Sequence, residues 1–126
     1  MYLIDTCAFL WSIGDDPSLS KKAREIIEAG DGLYLSQTTL WEIAVKKTIN
    51  KLELEEDTQG LVDMCDESNI TILPIENRYF ETIQKLPYIH GDPFDRLIMA
   101  TALENDLTLL TNDKEIKKYK EIKQLW

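Results

Sequence analysis

Short apolar runs alternate along this chain with longer stretches of helical spacing. "YLI" (2–4), "LYL" (33–35), "ITIL" (70–73) and "LTLL" (107–110) read as strands, each running into polar turn residues. Helical patterns lie between and after them, near 18–29, 38–49, 58–68, 76–86 and 93–105. Strands that are apolar throughout, interleaved with helices, predict a mostly parallel sheet covered on both faces, a three-layer α/β/α sandwich. Gly and Pro are scattered rather than gathered into a linker, no repeat or low-complexity segment appears, and 126 residues suit one domain, 1–126.

Open sheets of this kind collect ligands at the carboxyl ends of their strands, so acids placed there carry information. Asp5 follows the first strand in "YLIDT", and Asp113 stands just beyond the last in "LTLLTND". If those strands are parallel neighbours, both carboxylates leave the sheet at one edge. Each also suits a helix N-cap, and "DKEIKKY" reads as a short helix start. In "HGDPFDRLIMATAL", Pro93 fits the first helical position, which makes Asp92 the cap and puts Asp95 at the capping-box position. Asp95 shares a face with Met99 and Ala102, so its carboxylate lies over an apolar stripe and needs a partner.

On the helix of "LWEIAV", Leu40, Trp41, Ile43, Ala44 and Val45 fill one arc, with Glu42 at its border. Glu42 precedes Lys46 by four residues, the favoured orientation for a surface pair contributing about 0.2–0.5 kcal/mol. Core packing is the expected use of Trp41. Glu104 and Asp106 read as solvated residues of a helix end and turn.

The net charge of −9 argues against a broad nucleic-acid surface, which usually leaves a basic footprint. It calls instead for metal ions or a basic partner. Lys46, Lys47 and Lys51, and the cluster Lys114, Lys117, Lys118, Lys120 and Lys123, read first as solvated helix faces. Cys7 and Cys65 lack metal-ligand spacing and are expected as buried thiols without a catalytic role. The apolar opening meets Asp5 at once and no run approaches a membrane span, so no membrane association and a cytoplasmic location are expected.

Asp5, Glu42, Asp95 and Asp113, in this order, resemble the acidic residues of PIN-domain nucleases. "LIDTCAFLW" looks like the opening motif of that family, "SQTTLWEIA" like the helix bearing its second acid, and "DPFDRLIMATAL" with "LTLLTND" like its third and fourth. The likeness spans essentially the whole chain, and "LWEIA" with "HGDPFDRLI" is similar to VapC-type toxins of prokaryotic toxin–antitoxin pairs. It implies a PIN-like fold and an acidic metal site of Asp5, Glu42, Asp95 and Asp113. It further implies an RNA substrate, a cognate antitoxin and a homodimer. Thr6, Ser36, Asp92 and Thr111 are candidates for orienting carboxylates or waters, although Ser and Thr at strand ends are commonly turn residues. Arg96 and Lys46 are candidates for phosphate contact. Trp11, Trp41 and Trp126 are candidates for lining an antitoxin groove.

Two carboxylates about 4 Å apart repel by about 4 kcal/mol at an effective dielectric near 20, and divalent cations remove that cost. Mg²⁺, or Mn²⁺, suits an open oxygen-lined site shared with substrate phosphates. The expected reaction is hydrolysis of RNA phosphodiesters by metal-activated water, with Asp5 and Asp95 as leading ligands. His90, a lone histidine before Gly91, reads as structural or solvated. A haloacid-dehalogenase-like phosphatase is the enzymatic alternative, weakened by Cys7 where that family has its second aspartate. A PIN-like module that binds without cutting is the non-enzymatic one.

Overall fold

Tyr2–Ile4 (β1) forms the middle of a five-stranded sheet in a computed structural model that describes residues 1–126. Leu33–Ser36 (β2) and Ile70–Leu73 (β3) lie on one side of it, Thr108–Leu110 (β4) and Gln124–Leu125 (β5) on the other, in the order β3-β2-β1-β4-β5. Every pairing is parallel, with Ile4 in register with Leu35 and Leu110. The expected sandwich is therefore present with an all-parallel sheet.

The apolar strands are explained by burial on both faces. Ile4, Leu35 and Leu110 join Phe9, Ala23, Leu61 and Cys65 in one core cluster. Their strand neighbours Leu3 and Leu109 join Ile98, Met99 and Tyr119 in the other. Period-two geometry sends successive side chains to opposite layers, and fully burying each Leu or Ile contributes about 1.5–3 kcal/mol. Helices Lys21–Ala29, Gln37–Thr48, Thr58–Glu67, Asn77–Lys85 and Pro93–Glu104 fall where the spacing predicts them.

A further helix, Thr6–Ile13, begins immediately after β1 and was not predicted by periodicity, because "TCAFLWSI" is apolar on most of its circumference. In chain order the helices are α1 (Thr6–Ile13), α2 (Lys21–Ala29), α3 (Gln37–Thr48), α4 (Thr58–Glu67), α5 (Asn77–Lys85) and α6 (Pro93–Glu104). The lysine-rich end forms only a 3₁₀ turn, Ile116–Lys118, before the two-residue β5, too short to stand out in sequence.

The face presented by α3 corrects the sequence expectation. Thr38, Thr39, Glu42 and Ile43 are buried, whereas Trp41 is 49% exposed. Small hydroxyl residues, not the largest apolar ones, turn inward because Thr39 meets Thr6 at 3.0 Å between hydroxyl oxygens. Trp41 instead packs edge-on against Phe94, with ring centroids 4.7 Å apart. Cys7, expected buried, is exposed; Cys65 is buried as expected. No helix is long and apolar enough to cross a membrane.

Candidate metal centre

Because β1 and β4 are adjacent and parallel, Asp5 and Asp113 emerge at the same carboxyl edge of the sheet. Asp5 caps α1, its Oδ1 accepting from the Ala8 N–H at 2.8 Å. Asp113 uses Oδ1 in the same way, accepting from the N–H groups of Glu115 at 2.8 Å and Ile116 at 3.1 Å. Asp92 caps α6 by accepting from the Asp95 N–H at 2.9 Å. Capping and metal binding were competing interpretations of these acids, yet a carboxylate has two oxygens. Asp5 and Asp113 each commit one oxygen to the backbone, which holds the other in a fixed direction.

Glu42 comes from the middle of α3 and is only 4% exposed. Its Oε1 accepts from Thr6 Oγ1 at 2.7 Å, and its Oε2 pairs with Lys46 Nζ at 2.5 Å. The Glu42–Lys46 pair anticipated from spacing thus exists, with the carboxylate inside rather than on the surface. Asp95 projects from the first turn of α6, and its Oδ2 lies 2.7 Å from His90 Nε2. Donor atoms of His90, Asp95 and Asp113 fall within 4.8 Å of one another.

Burial pushes the Asp5 carboxyl up to about 6; hydrogen bonds from Thr111 and the Ala8 N–H oppose the rise, and the charges of Asp113 and Glu42 add to it. Burial likewise pushes Asp95 up to about 6, against its bond to His90 and with help from the charges of Asp92, Glu42 and Asp113. The four acids are therefore electrostatic neighbours although they lie far apart in sequence. Their oxygen donors suit a hard divalent cation, and the upward displacement of two of them reflects burial first and the neighbouring carboxylates second. Although Cys7 reaches the surface, partial burial of its thiol, followed by the charge of Asp5, pushes it up to about 11 and disfavours the thiolate.

Several side chains occupy roles other than those expected. Arg96 does not face a phosphate path: it is buried, donating to the carbonyls of Ile83, Leu86, Pro87 and His90 and to Tyr119 Oη. Ser36 caps α3 through the Thr38 N–H at 3.0 Å and reaches no carboxylate. Thr6 binds Glu42 directly, and Thr111 binds Asp5 while accepting from the Asp113 N–H at 3.1 Å. His90 joins Asp95, a contact that spacing hints at, since it lies five residues before Asp95, but that depends on the fold of the intervening loop. Trp11 meets Trp126 edge-on at 5.7 Å, and both pack against the core on the α1 side.

The PIN-domain family model matches residues 2–122. Ribonuclease VapC22 of Mycobacterium tuberculosis is 27% identical over 119 residues, which cover 94% of this chain and 91% of that protein. Among solved structures, VapBC2 from Rickettsia felis bound to a DNA fragment from its promoter superposes with a TM-score of 0.72 at 18% identity, covering 98% of this chain and 96% of the matched one. DNA-bound VapBC from Salmonella typhimurium gives 0.69 at 17% identity, covering 98% and 96%. At such identity the structural likeness speaks to the fold.

Proposed function

This chain belongs to the PIN-domain family, and from that premise we propose that it is a metal-dependent endoribonuclease, the toxin of a toxin–antitoxin pair. The observation that carries the proposal is the approach of donor atoms of Asp95 and Asp113 to within 4.8 Å of each other and of His90, with Asp5 and Glu42 as their electrostatic neighbours. The similarity to Ribonuclease VapC22 supports RNA as substrate.

Mg²⁺ or Mn²⁺ is the proposed ion, held by the free oxygens of Asp5, Asp95 and Asp113 with Glu42 alongside. When bound, such an ion supplies an activated water and neutralises charge developing on the phosphoryl group. The protein's own contribution is preorganisation. Backbone N–H groups fix Asp5 and Asp113, His90 and the capped start of α6 fix Asp95, and Thr6 fixes Glu42. Lys46, half-exposed and paired with Glu42, is the proposed contact for a substrate phosphate at the rim.

The unit of function is proposed to be residues 1–126, working in the cytoplasm. An antitoxin partner is proposed from the likeness to VapBC complexes and from the net charge of −9, which favours a basic segment reaching the acidic edge. Homodimerisation is proposed on the same family grounds. The test is cleavage of structured RNA by the purified chain with and without Mg²⁺, beside Asp95→Asn. Cleavage is expected to require both the ion and the carboxylate; turnover of small phosphomonoesters instead would favour a phosphatase.

A further inference from the structure

We propose that His90 is a positioning residue of the acidic site: it holds the Asp95 carboxylate in the orientation that receives a divalent cation, and is itself held by a buried clasp of Arg96 and Tyr119. The inference rests on the metal-site reading above and adds to it a residue outside the four acids.

The loop between α5 and α6 carries His90, and two side chains collect its backbone polar groups. Tyr119 Oη accepts from the N–H groups of Ile89 at 3.1 Å and His90 at 2.9 Å and donates to the Pro87 carbonyl at 2.7 Å. Arg96 Nη1 donates to the carbonyls of Pro87 at 3.1 Å and His90 at 3.3 Å and to Tyr119 Oη at 3.2 Å. Its Nη2 donates to Ile83 at 2.8 Å and Leu86 at 3.2 Å. Arg96 is 7% and Tyr119 1% exposed.

A guanidinium buried this deeply costs folding free energy unless its donors are met, and these are met by one stretch of chain, residues 83–90, together with Tyr119. An apolar side chain of the same volume would avoid that cost but would take a donor away from the carbonyls of Ile83, Leu86, Pro87 and His90. What the charged group adds is a fixed loop. His90 is pinned through both its N–H and its carbonyl, and its ring nitrogen is thereby delivered 2.7 Å from Asp95 Oδ2. The Asp95 N–H is fixed independently by Asp92. Asp95 is thus held at its backbone by one loop residue and at its carboxylate by another. Since an ionised carboxylate only accepts, His90 Nε2 donates in this contact. Such outer partners orient metal-binding carboxylates and set their affinity.

The experiment is calorimetric Mg²⁺ titration of the metal-free full chain for wild type, His90→Ala, His90→Gln, Tyr119→Phe and Asp95→Asn, with circular dichroism confirming the fold. His90→Ala should weaken Mg²⁺ binding about tenfold or more. His90→Gln, whose amide supplies an N–H at similar reach without an imidazole, should stay within about threefold of wild type. Tyr119→Phe, which keeps His90 but loosens its loop, should weaken binding in the same direction. Wild-type affinity in His90→Ala overturns the proposal. So does a His90→Gln variant as weak as His90→Ala, because the ring itself would then be the ligand. Wild-type affinity in Asp95→Asn would instead reject the underlying metal site.

Discussion

Thr6 Oγ1 donates a 2.7 Å hydrogen bond to Glu42 Oε1, joining the first turn of α1 to the middle of α3 across 36 positions of sequence. The same hydroxyl meets Thr39 at 3.0 Å, so a small polar cluster turns α3 towards the site and leaves Trp41 outside. Thr6→Val keeps the shape and removes the donor. It should lower stability by about 1–3 kcal/mol, the cost of a buried carboxylate losing a partner. Thr6→Ser should restore most of it, as read by urea denaturation.

Lys46 is the protein's own counter-ion for Glu42. Lys46→Met leaves that buried carboxylate without a positive neighbour and should destabilise the metal-free chain by roughly 1–3 kcal/mol. Saturating Mg²⁺ should recover part of the loss, because a cation bound to the folded state alone raises stability by mass action. Paired melting curves with and without Mg²⁺ check this.

Asp5 and Asp95 titrate near pH 6 in the folded chain, above the 3.8 of an unperturbed aspartate. Folding therefore takes up protons between those values. Their contribution to stability is complete below the lower value and lost as pH rises through the upper one. Metal-free protein should gain roughly 1–3 kcal/mol from these groups on going from about pH 7 to about pH 5. Saturating Mg²⁺, which binds the ionised carboxylates, should reduce or reverse that gain in denaturation series across pH.

Four of the five strands and five of the six helices are readable from apolar spacing, and the placement of Asp5 and Asp113 follows from parallel topology alone. The rest depends on long-range packing. The inward face of α3 is set by Thr6, which a helical wheel of α3 does not contain. The role of Arg96 depends on carbonyls 6 to 13 residues earlier and on Tyr119, 23 residues later. His90 is informative only once that clasp shapes its loop. Cap and ligand read as alternatives for Asp5 and Asp113 in sequence, whereas in space the cap occupies only one carboxylate oxygen of each and leaves the proposed ligand role open to the other.

The central claim is that the gathered acids form a cation site that works on RNA, and one paired measurement on Asp95→Asn tests it: melting temperature without metal, and RNA cleavage with Mg²⁺. Removing a buried, poorly compensated charge should leave the metal-free melting temperature equal or higher, while cleavage falls by roughly 100-fold or more. A variant that cuts RNA at the wild-type rate, or wild-type cleavage that persists after complete chelation of divalent ions, would contradict the account.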